Sequence, residues 1–183
     1  MGFWFVERSV CDGCIDRCRG FRLPILPNAA WFFFASAPNY LSLRDDLPAQ
    51  GWLAATFYSP DRIYPLLALG APAITLLVFP PTGRLLRRVA SRIIKQDMVS
   101  LNVQTTDWHT YSIDWQVEEV SFWLDGEPLF KTSVVPKAPL GLVLWIDNQY
   151  AAFPPTGQIR YGMLANTEPA WIEIADLTVN KQS

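Results

Sequence analysis

The chain has few of the residues on which most enzyme and metal sites depend. Among its 183 residues there is one histidine, His109, and there are three cysteines. A single histidine excludes two-histidine zinc sites and any mechanism in which one histidine is the acid and another the base. No Gly-x-Ser-x-Gly elbow, P-loop or dinucleotide glycine fingerprint occurs in the sequence. We therefore expect no cofactor.

Charge and long hydrophobic runs are also scarce. Charged residues make up 17% of the chain and the formal net charge is −2, which gives no general reason to bind nucleic acid. The longest apolar stretch, 64–79, contains two prolines and a glycine and is shorter than the ~20 residues that span a bilayer. The first residues do not form a charged-then-apolar signal peptide. We expect no membrane span, a cytoplasmic location as the sequence is written, and secretion if its N-terminus is truncated.

All three cysteines lie in one short segment. Cys11, Cys14 and Cys18 belong to the sequence CDGCIDRC. Three thiols could ligate zinc or an iron–sulfur cluster with His109 as fourth ligand, but a second cysteine pair is missing. An odd count also disfavours a purely intramolecular disulfide framework. We predict that 8–29 is an irregular loop, rich in Cys, Arg and Pro, whose thiols are free or partly oxidised, rather than a metal site.

The chain is rich in aromatic residues and in turn formers. Half of it is apolar, and it contains fifteen prolines, ten glycines and eight tryptophans. This composition fits a sheet protein with many turns better than a helix bundle. Its length suits one domain with a substantial core, so we expect 1–183 to form a single domain.

The clearest pattern runs through 108–130. Polar and apolar residues alternate over 109–115, a polar turn follows, and the alternation resumes over 120–125. Asp125-Gly126 then supplies the positive-φ chemistry of a tight turn. The pattern predicts an antiparallel meander. Further strands are predicted at 1–7, 30–35, 51–59, 74–79, 140–146 and 171–179.

One segment, 83–96, changes to a helical period. Leucine, isoleucine and valine recur every three to four residues, and arginines occupy the remaining turns. We predict a helix whose apolar side packs on the sheet while the arginines face water; a β-hairpin of 91–97 with 99–105 is the alternative. A basic amphipathic segment can also bind an acidic membrane surface or nucleic acid. We prefer the solvated face because the segment is short and its polar face lacks aromatic anchors.

The meander has a familiar sequence. A strand that ends in Asp-Trp, a short polar turn, the run SFWLDGEPL at 121–129 and a Pro-rich link into an apolar strand resemble the second half of the laminarinase-like, family-sixteen glycoside hydrolases. The resemblance extends roughly over 27–179 and is most specific at 108–150. It implies an all-β, concanavalin-A-like jelly-roll sandwich of two curved antiparallel sheets, with at most one short helix, whose concave face holds sugar.

The resemblance does not extend to the family's catalytic strand. In that family the strand carries Gly-Glu-x-Asp-x-x-Glu, whose carboxylates act as nucleophile, helper and general acid. Retaining hydrolysis requires two carboxyl groups about 5 Å apart. With Gly51 aligned to the glycine of the motif, the acid positions hold Trp52, Ala54 and Phe57, and the motif occurs nowhere else in the chain. We therefore expect no β-glucanase activity.

These observations favour a non-catalytic domain that binds carbohydrate, or another partly apolar small molecule, on its concave face. Aromatic rings stack on pyranose rings while amides and carboxylates satisfy the hydroxyls. An enzyme, either a hydrolase or a lyase, with a site built from Asp147, His109 and Tyr111 is one alternative, and an interaction domain without a ligand is another. The candidate ligand-binding residues are Trp31, Phe33, His109, Tyr111, Trp145, Asp147, Asn148 and Tyr150.

The resemblance also bears on whether the chain contains all the strands of the family's fold. The family has strands before the aromatic strand seen here at 30–35, whereas only 29 residues precede that strand in this chain. An uncovered sheet edge or face exposes backbone groups and apolar side chains. We expect either an N-terminally shortened member of the family or one that covers the gap by self-association into a homo-oligomer.

Overall fold

A computed structural model describes residues 2–7, 27–60 and 79–180, with the backbone alone for 2–7. The cysteines, most of the predicted 8–29 loop and all but the last residue of the predicted strand at 74–79 lie outside this part of the chain. The described elements, in chain order, are β1 (Gly2–Glu7), β2 (Ala29–Ala35), β3 (Gly51–Tyr58), α1 (Pro80–Ile93), β4 (Lys95–Ser100), β5 (Tyr111–Trp115), β6 (Val120–Leu124), β7 (Glu127–Thr132), β8 (Leu140–Trp145), β9 (Gln149–Ala152) and β10 (Arg160–Met163).

The strands form three antiparallel sheets. The largest has five strands in the order β4-β3-β2-β1-β8, the meander forms the three-stranded sheet β5-β6-β7, and β9 pairs with β10. Within the described residues α1 is the one helix. The predicted all-β sandwich class is thereby confirmed.

The local sequence explains the central strand pairs. β2 and β3 are paired along their whole length, from Ala29↔Phe57 to Ala35↔Gly51. The turn between β6 and β7 is the predicted Asp-Gly pair, with φ of 53° at Asp125 and 82° at Gly126. Positive φ at both positions matches the twist of the flanking strands, and Asp and Gly adopt it at low cost.

Both faces of the sheet are covered at β2 and β3, which explains the unbroken apolar sequence of β2. Trp31 and Phe33 belong to a helix-side core, which α1 and the loop 36–50 complete. Phe32 points the other way into a meander-side core, where its ring meets Tyr111 at 5.0 Å and Phe122 at 5.2 Å. These aromatic contacts join the two main sheets.

Helix α1 confirms the predicted helix at 83–96, and the segment that follows it forms β4 instead of a hairpin. The predicted orientation of the helix is right only in part: Ile94 packs in the helix-side core and Arg84, Arg88 and Arg92 are exposed, but the main apolar row does not face the core. Gly83 and Arg87 are its buried residues, while Leu85 and Val89 are exposed. Arg87 donates to the carbonyl oxygens of Ser42 and Phe153, both at 2.5 Å, and to Asp45 Oδ1 at 2.7 Å. These bonds satisfy a guanidinium that would otherwise be too costly to bury.

A close backbone approach holds the same side of α1. A Cβ at Gly83 would overlap the carbonyl oxygen of Gly157 and lie 2.8 Å from its carbonyl carbon. Only a glycine allows the first turn of α1 to approach the 154–157 turn this closely. No helix in the described part of the chain is long and apolar enough to cross a membrane.

The last described segment differs from its prediction. The alternation at 171–179 predicts a closing strand, but 164–180 contains no strand or bridge. The large side chains of Trp171, Leu177 and Val179 are exposed. Alternation gives this segment the capacity to pair, but a strand also requires a neighbouring edge within hydrogen-bonding distance.

Candidate functional site

The structure divides the eight predicted ligand-binding residues among three places. Trp31, Phe33 and Trp145 belong to the helix-side core: Trp31 and Phe33 are 5% and 3% exposed, and the partly buried Trp145 packs beside them. The Trp31 ring lies 4.5 Å from Phe33 and 6.0 Å from Trp145. Cover by α1 and the 36–50 loop explains why these rings do not line an open cleft.

Asp147, Asn148 and Tyr150 lie around the β9–β10 hairpin. Asp147 Oδ1 accepts the amide N–H of Gln149 at 3.3 Å. The Asn148 side chain donates to the carbonyl of Leu164 at 3.0 Å, and the Leu164 amide donates back to the Asn148 carbonyl at 2.7 Å. The Tyr150 ring covers Gly162, where a Cβ would be 3.0 Å from the ring. These side chains shape the hairpin.

His109 and Tyr111 are the two predicted residues that share an open site. They line a groove of about 2840 Å³ bounded by 105–119, β8 and 169–180, which we call the meander groove. Their rings lie 6.1 Å apart. The period-two alternation of 109–115 is what places both on the same side, as the sequence predicts.

The walls of the meander groove combine aromatic rings with acidic groups. Its exposed rings belong to Trp108 and Trp171, which are 66% and 68% exposed, and to Phe34 and Trp123, which are 40% and 38% exposed. Among the described residues that line the groove there are six carboxylates and one lysine, Lys137, and one of the carboxylates, Glu119, is paired with Lys131 at 2.6 Å. The carboxylates belong to Asp107, Asp114, Glu118, Glu119, Glu173 and Asp176. The groove thus offers stacking surfaces and hydrogen-bond acceptors in a negative field.

Asp125 organises the part of the groove around His109. Its Oδ1 accepts the amide N–H of Thr110 at 2.8 Å, its Oδ2 lies 2.8 Å from His109 Nδ1, and its own amide donates to the Thr110 carbonyl at 2.8 Å. The Thr110 amide and, after it, the His109 ring stabilise the carboxylate and hold the pKa of Asp125 below its ordinary value. Sequence reasoning identified Asp125 as a turn residue but missed this second role.

The position of the Tyr111 side chain is set by a contact with β3 of the five-stranded sheet. The indole Nε1 of Trp52 donates to the Tyr111 hydroxyl oxygen at 3.0 Å, and the two rings meet edge to face at 5.7 Å. Burial is the main cause of the raised pKa of the Tyr111 hydroxyl. The phenol therefore remains neutral at physiological pH and keeps its hydrogen-bonding capacity.

The His109 ring is oriented but enclosed. Its Nε2 atom is buried and has no hydrogen-bond partner among the described residues. A general base must come within hydrogen-bond reach of the proton that it removes. His109 is also paired with Asp125 rather than with Asp147, the partner in the enzyme alternative.

The positions aligned with the family's carboxylates lie inside the protein. Trp52 and Ala54 point into the meander-side core and Phe57 into the helix-side core. They are 5%, 0% and 3% exposed. Strand β3, which carries all three, contains no Asp or Glu.

No group of three or more metal-ligating side chains occurs within 27–60 and 79–180. The candidate ligands Cys11, Cys14 and Cys18 lie outside this part of the chain.

Comparison with known proteins gives one match. A family model described as Glycosyl hydrolases family 16 matches residues 88–138, less than a third of the chain. The matched part runs from the middle of α1 through the meander to the link before β8. No curated protein matches, and no solved structure matches. The chain is thus similar to these glycoside hydrolases over the meander, which suggests a function related to carbohydrate.

Proposed function

We propose that this protein binds neutral polysaccharide in the meander groove without hydrolysing it. The observation that carries the proposal is the pair of exposed indoles, Trp108 and Trp171, on a groove that is otherwise rich in hydrogen-bond acceptors. Indole faces stack on the apolar faces of sugar rings, while carboxylates and amides accept from their hydroxyls. The family match over the meander supports a carbohydrate as the ligand.

The size and charge of the groove narrow the ligand class. Its volume of about 2840 Å³ exceeds the ~300–1,000 Å³ of ordinary small-molecule pockets. An extended polymer fits such a space better than a monosaccharide. With Glu119 paired to Lys131, the described lining still has five carboxylates against one lysine; these repel sulfated or uronic polymers, so neutral glucans are the favoured class.

The same site does not favour the enzyme alternative. Losing one carboxylate of a general acid–base pair commonly costs about 10² to 10⁴ in rate, and β3 carries none. The enclosed Nε2 of His109 is not available as a replacement base. Binding without turnover therefore fits the side chains of the groove.

A titration with laminarin, alongside a sulfated galactan of similar length, tests this proposal. We expect saturable binding of laminarin, no release of reducing sugar, and little binding of the sulfated polymer. Trp108→Ala should weaken laminarin binding by about five- to thirtyfold, the equivalent of 1–2 kcal/mol, with little change in melting temperature because Trp108 is exposed.

Tyr161→Ala is the matched control, since Tyr161 is an aromatic residue, 84% exposed on β10, that does not line the meander groove. It should leave laminarin affinity unchanged. Hydrolysis of laminarin that is lost in Asp114→Asn or Asp147→Asn would show that the chain is an enzyme. Equal affinity of the wild type and Trp108→Ala would remove the groove as the binding site.

A further inference from the structure

The outward side of α1 carries an apolar stripe that takes no part in the core of the described residues. Leu85, Val89 and Ile93 recur every four residues, so they lie in one row along the helix, with Leu86 beside them. Leu85 is 57% exposed, Val89 42% and Leu86 39%. Phe79, which precedes the helix, is 60% exposed and extends the apolar surface at its N-terminal end.

A basic stripe runs beside the apolar one. Arg84, Arg88 and Arg92 also recur every four residues, and all three are exposed. None of them forms an ion pair with a described residue, and α1 contains no Asp or Glu. Arg87, in contrast, faces inward and is paired with Asp45. On the outer surface of α1, three guanidinium groups without an acidic partner among the described residues therefore lie beside a row of aliphatic side chains.

The arrangement differs from an ordinary surface helix, which turns its main apolar stripe toward the core. On the side of α1 toward the sheet, Gly83 docks through close backbone approach and Arg87 through hydrogen bonds, and only Ala90 and the C-cap residue Ile94 pack in the helix-side core. The positive surface is also local, because the whole chain has a net charge of −2. Helix α1 is thus a basic, amphipathic surface on an otherwise acidic protein.

We propose that α1 binds the surface of an anionic lipid bilayer, lying parallel to it. The leucine and valine side chains would enter the boundary between headgroups and acyl chains, while the arginines pair with lipid phosphates and acidic headgroups. In the sequence the helix directly follows 64–79, a stretch without a charged residue. Nucleic acid would match the arginines but not the adjoining aliphatic row.

Vesicle sedimentation tests the proposal with the full chain. Phosphatidylcholine vesicles are compared with vesicles that contain an added fraction of phosphatidylserine, at low and high salt. We expect the protein to sediment with the anionic vesicles only and to be released by salt. The double variants Leu85→Ser/Val89→Ser and Arg88→Glu/Arg92→Glu should each lower the partition coefficient by about tenfold or more.

Two exposed residues elsewhere provide matched controls. Val117→Ser removes an aliphatic side chain from the β5–β6 turn, and Arg160→Glu reverses a charge on β10. Both should sediment like the wild type, and near-ultraviolet circular dichroism should show every variant to be folded. Equal binding to neutral and anionic vesicles, or equal losses in the controls, would overturn the proposal. So would binding of an oligonucleotide in place of vesicles, or a lipid-free dimer that Leu85→Ser/Val89→Ser dissociates.

Discussion

At the scale of single residues, Asp125 shows how a turn position gains a second role. The Asp-Gly turn requires positive φ, and the same Asp side chain then holds the 108–110 segment through Thr110 and His109. Because these contacts favour the charged carboxylate, the pKa of Asp125 is lower in the folded protein than in the unfolded chain. Between the two pKa values, the unfolded chain therefore binds more protons than the folded protein does.

This difference predicts a pH-dependent effect of Asp125→Asn. Asparagine tolerates the positive φ but lacks the charge, so the variant should be less stable than the wild type at pH 7. The contribution of the carboxylate is complete above the unfolded pKa of about 3.9 and is lost as the pH falls through the lower folded value. Urea denaturation at pH 7 and near pH 3 measures the gap, which should narrow in acid. A gap of constant size would mean that the turn conformation, not the charge, accounts for the loss.

At the scale of elements, the docking of α1 depends on Gly83 and predicts an inverted substitution effect. Gly to Ala normally stabilises a helix interior by about 0.5–1 kcal/mol. Here the new methyl would meet the backbone of Gly157, so Gly83→Ala should destabilise the protein by about 1–3 kcal/mol. Thermal unfolding measures the effect, with Ser91→Ala in the same helix as a control that should remain within ~0.5 kcal/mol of the wild type. A stabilised Gly83→Ala would show that α1 does not approach the 154–157 turn so closely.

The sequence predicts the existence of elements better than their surroundings. β2, β3 and the meander follow from period and turn chemistry, which are local. The orientation of α1 does not, because burial of Arg87 depends on carbonyls of Ser42 and Phe153, far away in the chain. An amphipathic period identifies two faces of a helix, but it does not determine which of them packs on the sheet. In α1 the packed side contains a glycine and a hydrogen-bonded arginine.

In the candidate site, too, local features are predicted from the sequence and contacts between distant residues are not. Alternation places His109 and Tyr111 together, and this part of the prediction needs no distant contact. Trp31 and Phe33 have the composition of a cleft wall, yet α1 and the 36–50 loop cover them. The acidic walls of the meander groove come from segments far apart in sequence, 105–119 and 169–180, so a single strand pattern does not reveal them.

At the scale of the whole molecule, the described layers are linked by aromatic contacts through the five-stranded sheet. Phe32 meets Phe122 on one side, and its neighbours Trp31 and Phe33 pack on the other. Residues joined in this way through one strand are expected to lose their packing together. We therefore propose that the layers unfold as one cooperative unit, as expected for a single domain.

Phe122→Ala tests whether the layers unfold cooperatively, because Phe122 is 1% exposed and lies in the meander, away from the helix-side core. Its truncation should cost about 3–5 kcal/mol, which raises the exchange rate of globally protected amides by roughly a hundredfold or more. If the molecule unfolds as one unit, hydrogen exchange of the slowest amides in β3 and β6 should accelerate by the same factor. Trp123→Ala is the control at the next position, since its side chain faces outward and is 38% exposed. Acceleration confined to β6 would instead mean that the meander opens independently, and the groove with it.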